Sequence, residues 1–586
     1  MKILLVAINA KYIHSNLAVY CLKSYAAKRG IETELAEYTI NYRQDDILSD
    51  IYQRKPDVIA FSCYIWNLDY VTSIVQDLKK VLPKSEIWGG GPEVSYDAAQ
   101  FLAKQRGFRG VMKGEGERTF YELARLYTEY GSDAVRRLEE CDSIAWRDHE
   151  GTIFEGSLPM PVTLDEVPFI YEEYENLKPF ENRILYYETS RGCPFSCSYC
   201  LSSIDKRVRF RSTELVEKEL QFFLDHKVAQ VKFVDRTFNC NHTHAMAIWN
   251  YIREHDNGVT NFHFEIAADL LNEEEIKLLS TFRPGLAQLE IGVQSTNLQT
   301  IKEIDRVMDF EKVSEKVRKV ASANNIHQHL DLIAGLPYEN LESFKKSFND
   351  VYRLKPQQFQ LGFLKVLKGS KMYRKSKDYG ILYHARPMYE VLSTKWLSYD
   401  EVIYLKGIEE MVEVYYNSTQ FARTIEKLEE AFAEPFDLYE ALASYYEVHD
   451  LNGRNHSRMG RLDILHDFIL ETIPQEKTAQ YEDCLLLDLY LRENSKSRPQ
   501  WACDIAKKKP QVQEFYRQES EEKRYLTDYE GYSWKQIANM THLEILSDGQ
   551  WCLFDYKKRN PLTKDAAMYV VLHEKAKQSG EMGKEV

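Results

Sequence analysis

The sequence predicts an α/β protein in three parts: a doubly wound parallel sheet, an open barrel of six β/α units, and a mostly helical C-terminal domain. Three observations carry this. In the first third, short apolar runs without polar alternation are each followed by a helical pattern, the mark of strands buried on both faces. In the middle third the same rhythm returns with a longer repeat. In the last third the strand pattern fades and long amphipathic stretches follow.

With 586 residues the chain exceeds what one core can hold. Its 44% hydrophobic and 28% charged residues describe globular protein rather than disorder. A net charge of −14 gives no broad basic surface, so there is no strong nucleic-acid signal. The apolar start, 1–8, is shorter than a signal-peptide core, lacks a small-residue cleavage site and reads as a first strand. No run of eighteen apolar residues occurs, so no membrane span is expected and a cytoplasmic location is.

Domain 1–135 holds strands at 3–7, 58–62, 86–88 and 110–112, with helices at 17–28, 68–81 and 118–130. Ligands of such a sheet bind at the carboxyl ends of its strands. Those ends carry Asn9-Ala10-Lys11-Tyr12-Ile13-His14, Ser62-Cys63-Tyr64, Gly89-Gly90-Gly91-Pro92-Glu93 and Gly114-Glu115-Gly116-Glu117. Residues 136–176 read as a connector, broken by Pro159, Pro161 and Pro168. Domain 177–388 offers six strands, at 184–188, 231–234, 262–266, 287–292, 328–334 and 358–364, which fit a partial (β/α)6 TIM-type barrel with its active groups at the carboxyl ends. Domain 389–586 has helical stretches at 399–416, 421–432 and 457–472, a strand and basic turn at 551–561, and a solvated charge run, Lys507-Lys508-Lys509.

The chemistry concentrates after the first barrel strand, in Arg191-Gly192-Cys193-Pro194-Phe195-Ser196-Cys197-Ser198-Tyr199-Cys200. A zinc knot wants a fourth ligand close by, but the next cysteine is Cys240. A disulfide framework does not suit ten cysteines of which seven are scattered. Three thiolates on one loop can instead hold three irons of a [4Fe-4S] cubane and leave the fourth open.

The spacing and its flanks resemble the radical S-adenosylmethionine (SAM) superfamily. The resemblance implies that Cys193, Cys197 and Cys200 ligate a cluster that reductively cleaves SAM to a 5′-deoxyadenosyl radical. It also implies a SAM site. Tyr199 lies in the cysteine motif, Asp235 belongs to Asp235-Arg236-Thr237-Phe238-Asn239 near the methionine amino group, and Glu265 and Asp269 face the ribose. Gln294 and Ser295 stand in a Gly-x-Gln-Ser segment, and Gly335 in Asp331-Leu332-Ile333-Ala334-Gly335-Leu336-Pro337. Taken singly, each acidic residue at a strand end reads equally as a helix N-cap. Cys240 reads as a loop residue, and His242 and His244 as residues of a helix start.

The glycine-rich strand ends ahead of this motif resemble the cobalamin-binding domain of B12-dependent radical SAM proteins. Cobalamin contacts are implied at Asn9, Tyr12, Ser62, Gly89, Gly90, Gly91, Gly114 and Glu115. The Asp-x-His-x-x-Gly motif of other cobalamin domains is missing, and only His14 lies near its place. The combined resemblance implies methyl transfer to an unactivated carbon of a small-molecule or natural-product-like substrate, with a flavodoxin or ferredoxin as reductase. Radical cyclisation or rearrangement with the same cofactors, tRNA methylthiolation, and a non-catalytic corrinoid- or SAM-binding role are the alternatives. The last domain resembles an uncharacterised appendage and adds no activity.

Overall fold

The computed structural model describes residues 1–158 and 160–571, so Pro159 and the last fifteen residues of the C-terminal domain lie outside the described residues. The chain forms two compact units, one of residues 1–344 with 362–402 and one of residues 345–361 with those from 403 onward.

The first sheet of the first unit contains β1 (Ile3–Asn9), β2 (Glu34–Thr39), β3 (Val58–Ser62), β4 (Glu86–Gly90), β5 (Gly110–Met112), β6 (Ile144–Arg147) and β7 (Ile153–Glu155), in the order β2-β1-β3-β4-β5-β6-β7. β1 to β5 are parallel. Alternate residues serve opposite faces, as strand geometry requires. Leu4, Val6, Ile8, Ile59 and Phe61 pack with the helix Leu68–Val81 on one side, and Ile3, Leu5, Val58, Ala60 and Trp88 pack with the helix Glu117–Tyr130 on the other. The strand order reverses between β1 and β3, the switch point at which doubly wound sheets leave a ligand crevice. Part of the expected connector belongs to this sheet: β6 and β7 extend it antiparallel, with Gly110 opposite Trp146 and Ala145 opposite Glu155.

The second sheet holds β8 (Leu185–Tyr187), then, beyond a hairpin of β9 (Ser190–Arg191) and β10 (Arg209–Phe210), the strands β11 (Gln230–Phe233), β12 (Asn261–Ile266), β13 (Ala287–Gln294), β14 (His327–Ala334) and β15 (Gln358–Phe363). The order β15-β14-β13-β12-β11-β8 leaves β8 at one edge and β15 at the other, an open (β/α)6 arrangement. Phe262, Phe264, Ile266, Leu289, Ile291, Leu330 and Leu332 are buried, while the alternate residues His263, Glu265, Glu290 and Asp331 are only partly covered. The helix-facing side is therefore apolar and the concave side polar. Beside β8, the loop after β1 adds a parallel bridge: His14 pairs with Ile184, and Ile184 N–H donates to Ile13 O at 2.9 Å.

Two short strands, β16 (Leu382–Tyr383) and β17 (Val391–Ser393), close the first unit. The second unit is helical from Ala422–Glu429 through Pro435–Val448, Arg458–Thr472 and Thr478–Arg492. It then builds an antiparallel sheet from β18 (Thr541–Ile545), β19 (Trp551–Arg559) and β20 (Ala566–Val571), of which the sequence reading anticipated only the middle strand. Tyr516, Leu526, Tyr529, Trp551 and Leu553 form its core. Among the described residues no helix is long and apolar enough to cross a membrane.

The buried Asp488 ties two of these helices together. It accepts from the backbone N–H groups of Arg423 (3.1 Å) and Thr424 (2.9 Å) and from Thr424 Oγ1 (2.7 Å), so a side chain of one helix satisfies the orphan N–H groups that begin another. Replacing Asp488 with Ala strands those donors and is expected to cost about 3 kcal/mol. Asp488→Asn, which keeps one acceptor, should cost less. Denaturant unfolding of the two variants beside the native chain checks both magnitudes.

Candidate functional site

The cysteine loop is held from behind by one carboxylate. Asp235, fully buried after β11, accepts from Thr189 N–H at 2.9 Å, Thr189 Oγ1 at 2.6 Å and Ser190 Oγ at 2.6 Å. Burial pushes its pKa up to about 6, although the bonds from Ser190 and Thr189 pull the other way. His244 Nε2 stands 3.1 Å from Thr189 Oγ1 on the far side. The strands β9 and β10 then pinch the loop at its base. Gly192, at φ +104°, lets them close, because a Cβ there would stand 2.4 Å from Arg207 O. Within the loop Cys193 and Cys197 are buried and Cys200 is half-buried. Ser203 Oγ donates to the carbonyls of Cys197 (2.9 Å) and Cys200 (2.7 Å), and Cys193 Sγ lies 3.5 Å from Thr237 Oγ1.

The residue before that glycine is a hub. The Arg191 guanidinium pairs with Glu188 (2.7 Å), Glu117 (2.8 Å) and Glu115 (3.0 Å), and Arg209 from β10 also grips Glu115. Burial alone would raise the pKa of Glu117, yet Arg191 holds it below the usual carboxylate value. The Gly114-Glu115-Gly116-Glu117 turn is thus bolted to the cysteine hairpin.

A polar cavity of about 150 Å³ opens beside the loop, lined among others by Cys197, Arg236, Glu265, Asp269, Arg306 and Asp331. Of the expected SAM residues it gathers Glu265, Asp269 and Gln294, and not Tyr199, Asp235, Ser295 or Gly335. Asp235 is the clamp described above. Ser295 Oγ donates to Glu339 at 2.6 Å and accepts from Asn297 N–H at 3.0 Å, which makes it part of a turn. Tyr199 packs against the cluster of Ile301, Leu336 and Met372, which lies against the loop, and Gly335 turns the chain at φ +87°.

Gln294 sits where the pairing of β13 and β14 slips by one residue, at φ +73°, a strained conformation for a residue with a side chain. Its Nε2 donates to Asp331 Oδ2 at 3.2 Å. Among the described residues, three buried polar atoms around this cavity have no hydrogen-bond partner: Gln294 Oε1, Asp331 Oδ1 and Arg306 Nε. Burial, with Glu290 nearby, raises the Asp331 pKa to about 7, and burial raises those of Glu265 and Asp269. Arg306 Nη1 lies 3.7 Å from Cys197 Sγ and 3.3 Å from Tyr199 Oη, and its Nη2 donates to Gly292 O. Arg306 lies in none of the motifs read from the sequence. It follows a short helix, Leu298–Glu303, and its only signal is its position after the Gln294-Ser295 turn.

The residues present fit the groups that the sequence resemblance implies. Among the described residues no three His, Cys, Asp or Glu converge on a single ion. A cubane instead takes each thiolate on a different iron, so it suits ligands spread along a loop, as Cys193, Cys197 and Cys200 are. The unpartnered atoms of Gln294, Asp331 and Arg306 offer two acceptors and a donor to a polar ligand next to Cys197. In the first domain Gly89, Gly90 and Gly91 end β4 without side chains, and Gly91, at φ +112°, comes so close to Cys63 that a Cβ would meet its carbonyl oxygen at 2.6 Å. Gly90 and Gly91 are half-buried there, so this strand end presents backbone rather than side chains.

Around the glycine edge, Ser62 Oγ accepts from Asn16 at 3.1 Å, and Asn9 Nδ2 donates to Glu37 at 2.7 Å and to His14 O at 3.0 Å. Tyr12 is exposed against the Arg183 guanidinium. Gly114 begins the turn whose Glu115 is committed to Arg191 and Arg209. His14 Nδ1 is 2.7 Å from Tyr186 Oη. The remaining N-terminal cysteines stand apart: Cys63 and Cys141 are buried in the cores on opposite faces of the first sheet, and Cys21 lies in the helix Leu17–Ala27.

Two outcomes follow from this geometry. Asp235→Ala removes the carboxylate that accepts from Thr189 and Ser190, so iron bound per chain after anaerobic reconstitution should fall by more than half while circular dichroism keeps the native helix signal. Asp331, with a folded pKa raised to about 7, contributes stability that is present below its unfolded value near 4 and is lost as pH rises through 7. Relative to Asp331→Asn, the native chain should therefore lose up to about 1.4 kcal/mol per pH unit across that window. Thermal unfolding of both proteins at pH 5 and pH 8 measures it.

Comparison with known proteins finds three family matches along the chain. Residues 3–124 match the B12 binding domain family, 187–351 the Radical SAM superfamily, and 377–565 a protein family of unknown function, DUF4080. The Cobalamin-dependent radical SAM methyltransferase TokK of Streptomyces tokunonensis is 26% identical over 313 residues, a match that covers 50% of this chain and spans only 44% of TokK. Among solved structures, the fold resembles that of OxsB with aqua-cobalamin and S-adenosylmethionine bound (TM-score 0.56, 18% identity, 83% of this chain and 78% of that one). It also resembles TsrM from Kitasatospora setae with cobalamin and a [4Fe-4S] cluster bound (TM-score 0.53, 16% identity, 67% of this chain and 82% of that one). The radical SAM domain implies a [4Fe-4S] cluster and SAM, and the B12 binding domain supports cobalamin. The chain therefore carries a region that matches the Radical SAM superfamily, preceded by one that matches the B12 binding domain and followed by one that matches DUF4080.

Proposed function

We propose that the chain is a cobalamin-dependent radical SAM methyltransferase acting on an unactivated carbon of a small molecule. The observation that carries this reading is the cavity in which Cys197 faces the unpartnered atoms of Gln294, Asp331 and Arg306. When bound, the cluster and the corrinoid would supply one electron for SAM cleavage to a 5′-deoxyadenosyl radical and a transferable methyl group.

The chain's own residues have separable tasks. Cys193, Cys197 and Cys200 hold the iron. Asp331 and Gln294 accept from the polar groups of SAM, with Glu265 and Asp269 beside them, and Arg306 donates. Glu115 and Glu117, gripped by Arg191, keep the strand-end loops of the first domain in register with the cysteine hairpin. The half-buried Gly90 and Gly91 would present backbone to the corrinoid. An electron donor of the flavodoxin or ferredoxin type completes the cycle.

Full-length protein reconstituted anaerobically with iron and hydroxocobalamin should hold about four irons per chain and show a corrin absorption band. With dithionite and SAM it should form 5′-deoxyadenosine together with S-adenosylhomocysteine once substrate is present. Deoxyadenosine alone would replace methyl transfer by cyclisation or rearrangement. About eight irons would point to a methylthiotransferase-like enzyme. No SAM cleavage at all would leave a binding protein.

A further inference from the structure

The concave side of the barrel continues below the cavity as a second polar tier. TIM-type barrels fill this space with branched aliphatic side chains, so that the interior is a packed core. Here the same positions carry Lys232 on β11, His263 on β12 and Glu290 on β13. Glu290 Oε2 accepts from Lys232 Nζ at 3.0 Å and lies 3.0 Å from His263 Nε2. β11 and β13 are separated by β12, about 10 Å apart across the sheet, so their side chains meet only by converging on the concave face. One layer lower, Gln230 Nε2 donates to Asn261 Oδ1 at 3.1 Å and reaches Gln288 Oε1 at 3.5 Å.

This tier is open. The side chains of Lys232 and Glu290 keep 25% and 26% of their exposure, which a sealed ionic core would not allow. Glu290 also lines the cavity beside Cys197, so the two levels are continuous. On the β8 side Tyr186 presents its hydroxyl to His14, which extends the polar lining to the edge of the barrel.

The charges limit what can lie there. Lys232 and Glu290 neutralise one another, and the cavity they adjoin is lined by Glu265, the register partner of Glu290, by Asp269 and Asp331, and by Arg236 and Arg306. A hydrocarbon would strip water from a charged pair and several amides without replacing a bond. A polyanion would meet cations that are each already engaged, Lys232 by Glu290, Arg236 by Glu265 and Arg306 by Gly292 O, beside the carboxylates of Asp269 and Asp331. A molecule of no net charge that offers donors and acceptors together would replace the lost water bond for bond.

Building on the radical SAM reading, we propose that the Lys232–Glu290–His263 tier is the floor of the substrate site. Its occupant is a small hydrophilic molecule without net charge, bearing amide or hydroxyl groups, and not a lipid, a macrocyclic hydrocarbon-rich ring or a polyphosphate.

Equilibrium dialysis of the reconstituted full-length protein against the methanol–water phase and against the hexane-soluble phase of an extract of its native cells tests this. Mass spectrometry then identifies retained compounds other than SAM and corrinoid. Uncharged polar compounds from the aqueous phase should be enriched at least tenfold by the native chain. Lys232→Met, whose thermal midpoint is measured alongside, should lose that enrichment while staying folded. Enrichment of hexane-soluble or polyanionic compounds, retention unchanged in Lys232→Met, or no retention from either phase overturns the proposal. Deoxyadenosine formation, assayed separately, reports on the radical SAM reading: its absence with retention intact would sink that reading and leave the polar floor standing.

Discussion

The Arg191 guanidinium is the constraint on which the site depends. It sits one residue before the glycine that lets the cysteine hairpin close, and it is bound at once to Glu188 at the end of β8 and to Glu115 and Glu117 of the first domain. Opposite charges held this closely and away from water are expensive to separate, about 3–5 kcal/mol when one partner is removed. The strand that launches the cysteines and the turn that follows β5 therefore move as one piece. Chemistry that uses two cofactors on two domains needs that kind of fixed register, because a shift of about 1 Å in reacting groups is enough to lose much of a rate.

Asp235 provides the same rigidity from the opposite direction. Its carboxylate is buried and fully used by Thr189 and Ser190, which explains why an acid at a strand end, expected to face a ligand, faces the loop instead. A loop meant to carry three thiolates cannot rely on its own short backbone pairing. The two residues of β9 and two of β10 are too few to hold it, and the clamp behind and the ion pairs beside them make up the difference.

What could be read in the chain was whatever is local. The spacing of Cys193, Cys197 and Cys200, the Gly-x-Gln-Ser turn and the apolar run of 3–8 are each fixed by neighbours in sequence, and each appears in the fold where its pattern put it. Antiparallel strands of three or four residues such as β6 and β7 carry too little alternation to stand out from a proline-rich stretch, and their place is set by the edge of β5. Arg306 belongs to no periodic pattern, because its role arises from the approach of one loop to another. The polar lumen was half legible. Asn261-Phe262-His263-Phe264-Glu265-Ile266 alternates plainly, but alternation alone says that one face is polar and not that four neighbouring strands point those faces at each other.

That convergence has an energetic meaning. A fold gains nothing from leaving Gln294 Oε1 and Asp331 Oδ1 buried and unpartnered, each at about 1–3 kcal/mol, nor from holding Gln294 at positive φ. Collapse of the cavity would relieve neither, because Gln294 is fixed by the bulge and Asp331 by its strand. A polar ligand in the cavity can supply partners for both atoms. The lower tier differs, since Lys232, Glu290 and His263 satisfy one another and are relaxed without a guest. An occupant of the upper tier thus gains affinity from relief of unmet bonds, while an occupant of the lower tier must exchange bonds of equal quality. Tighter binding above and replaceable binding below would seat the upper occupant first and leave the choice of substrate to the lower tier.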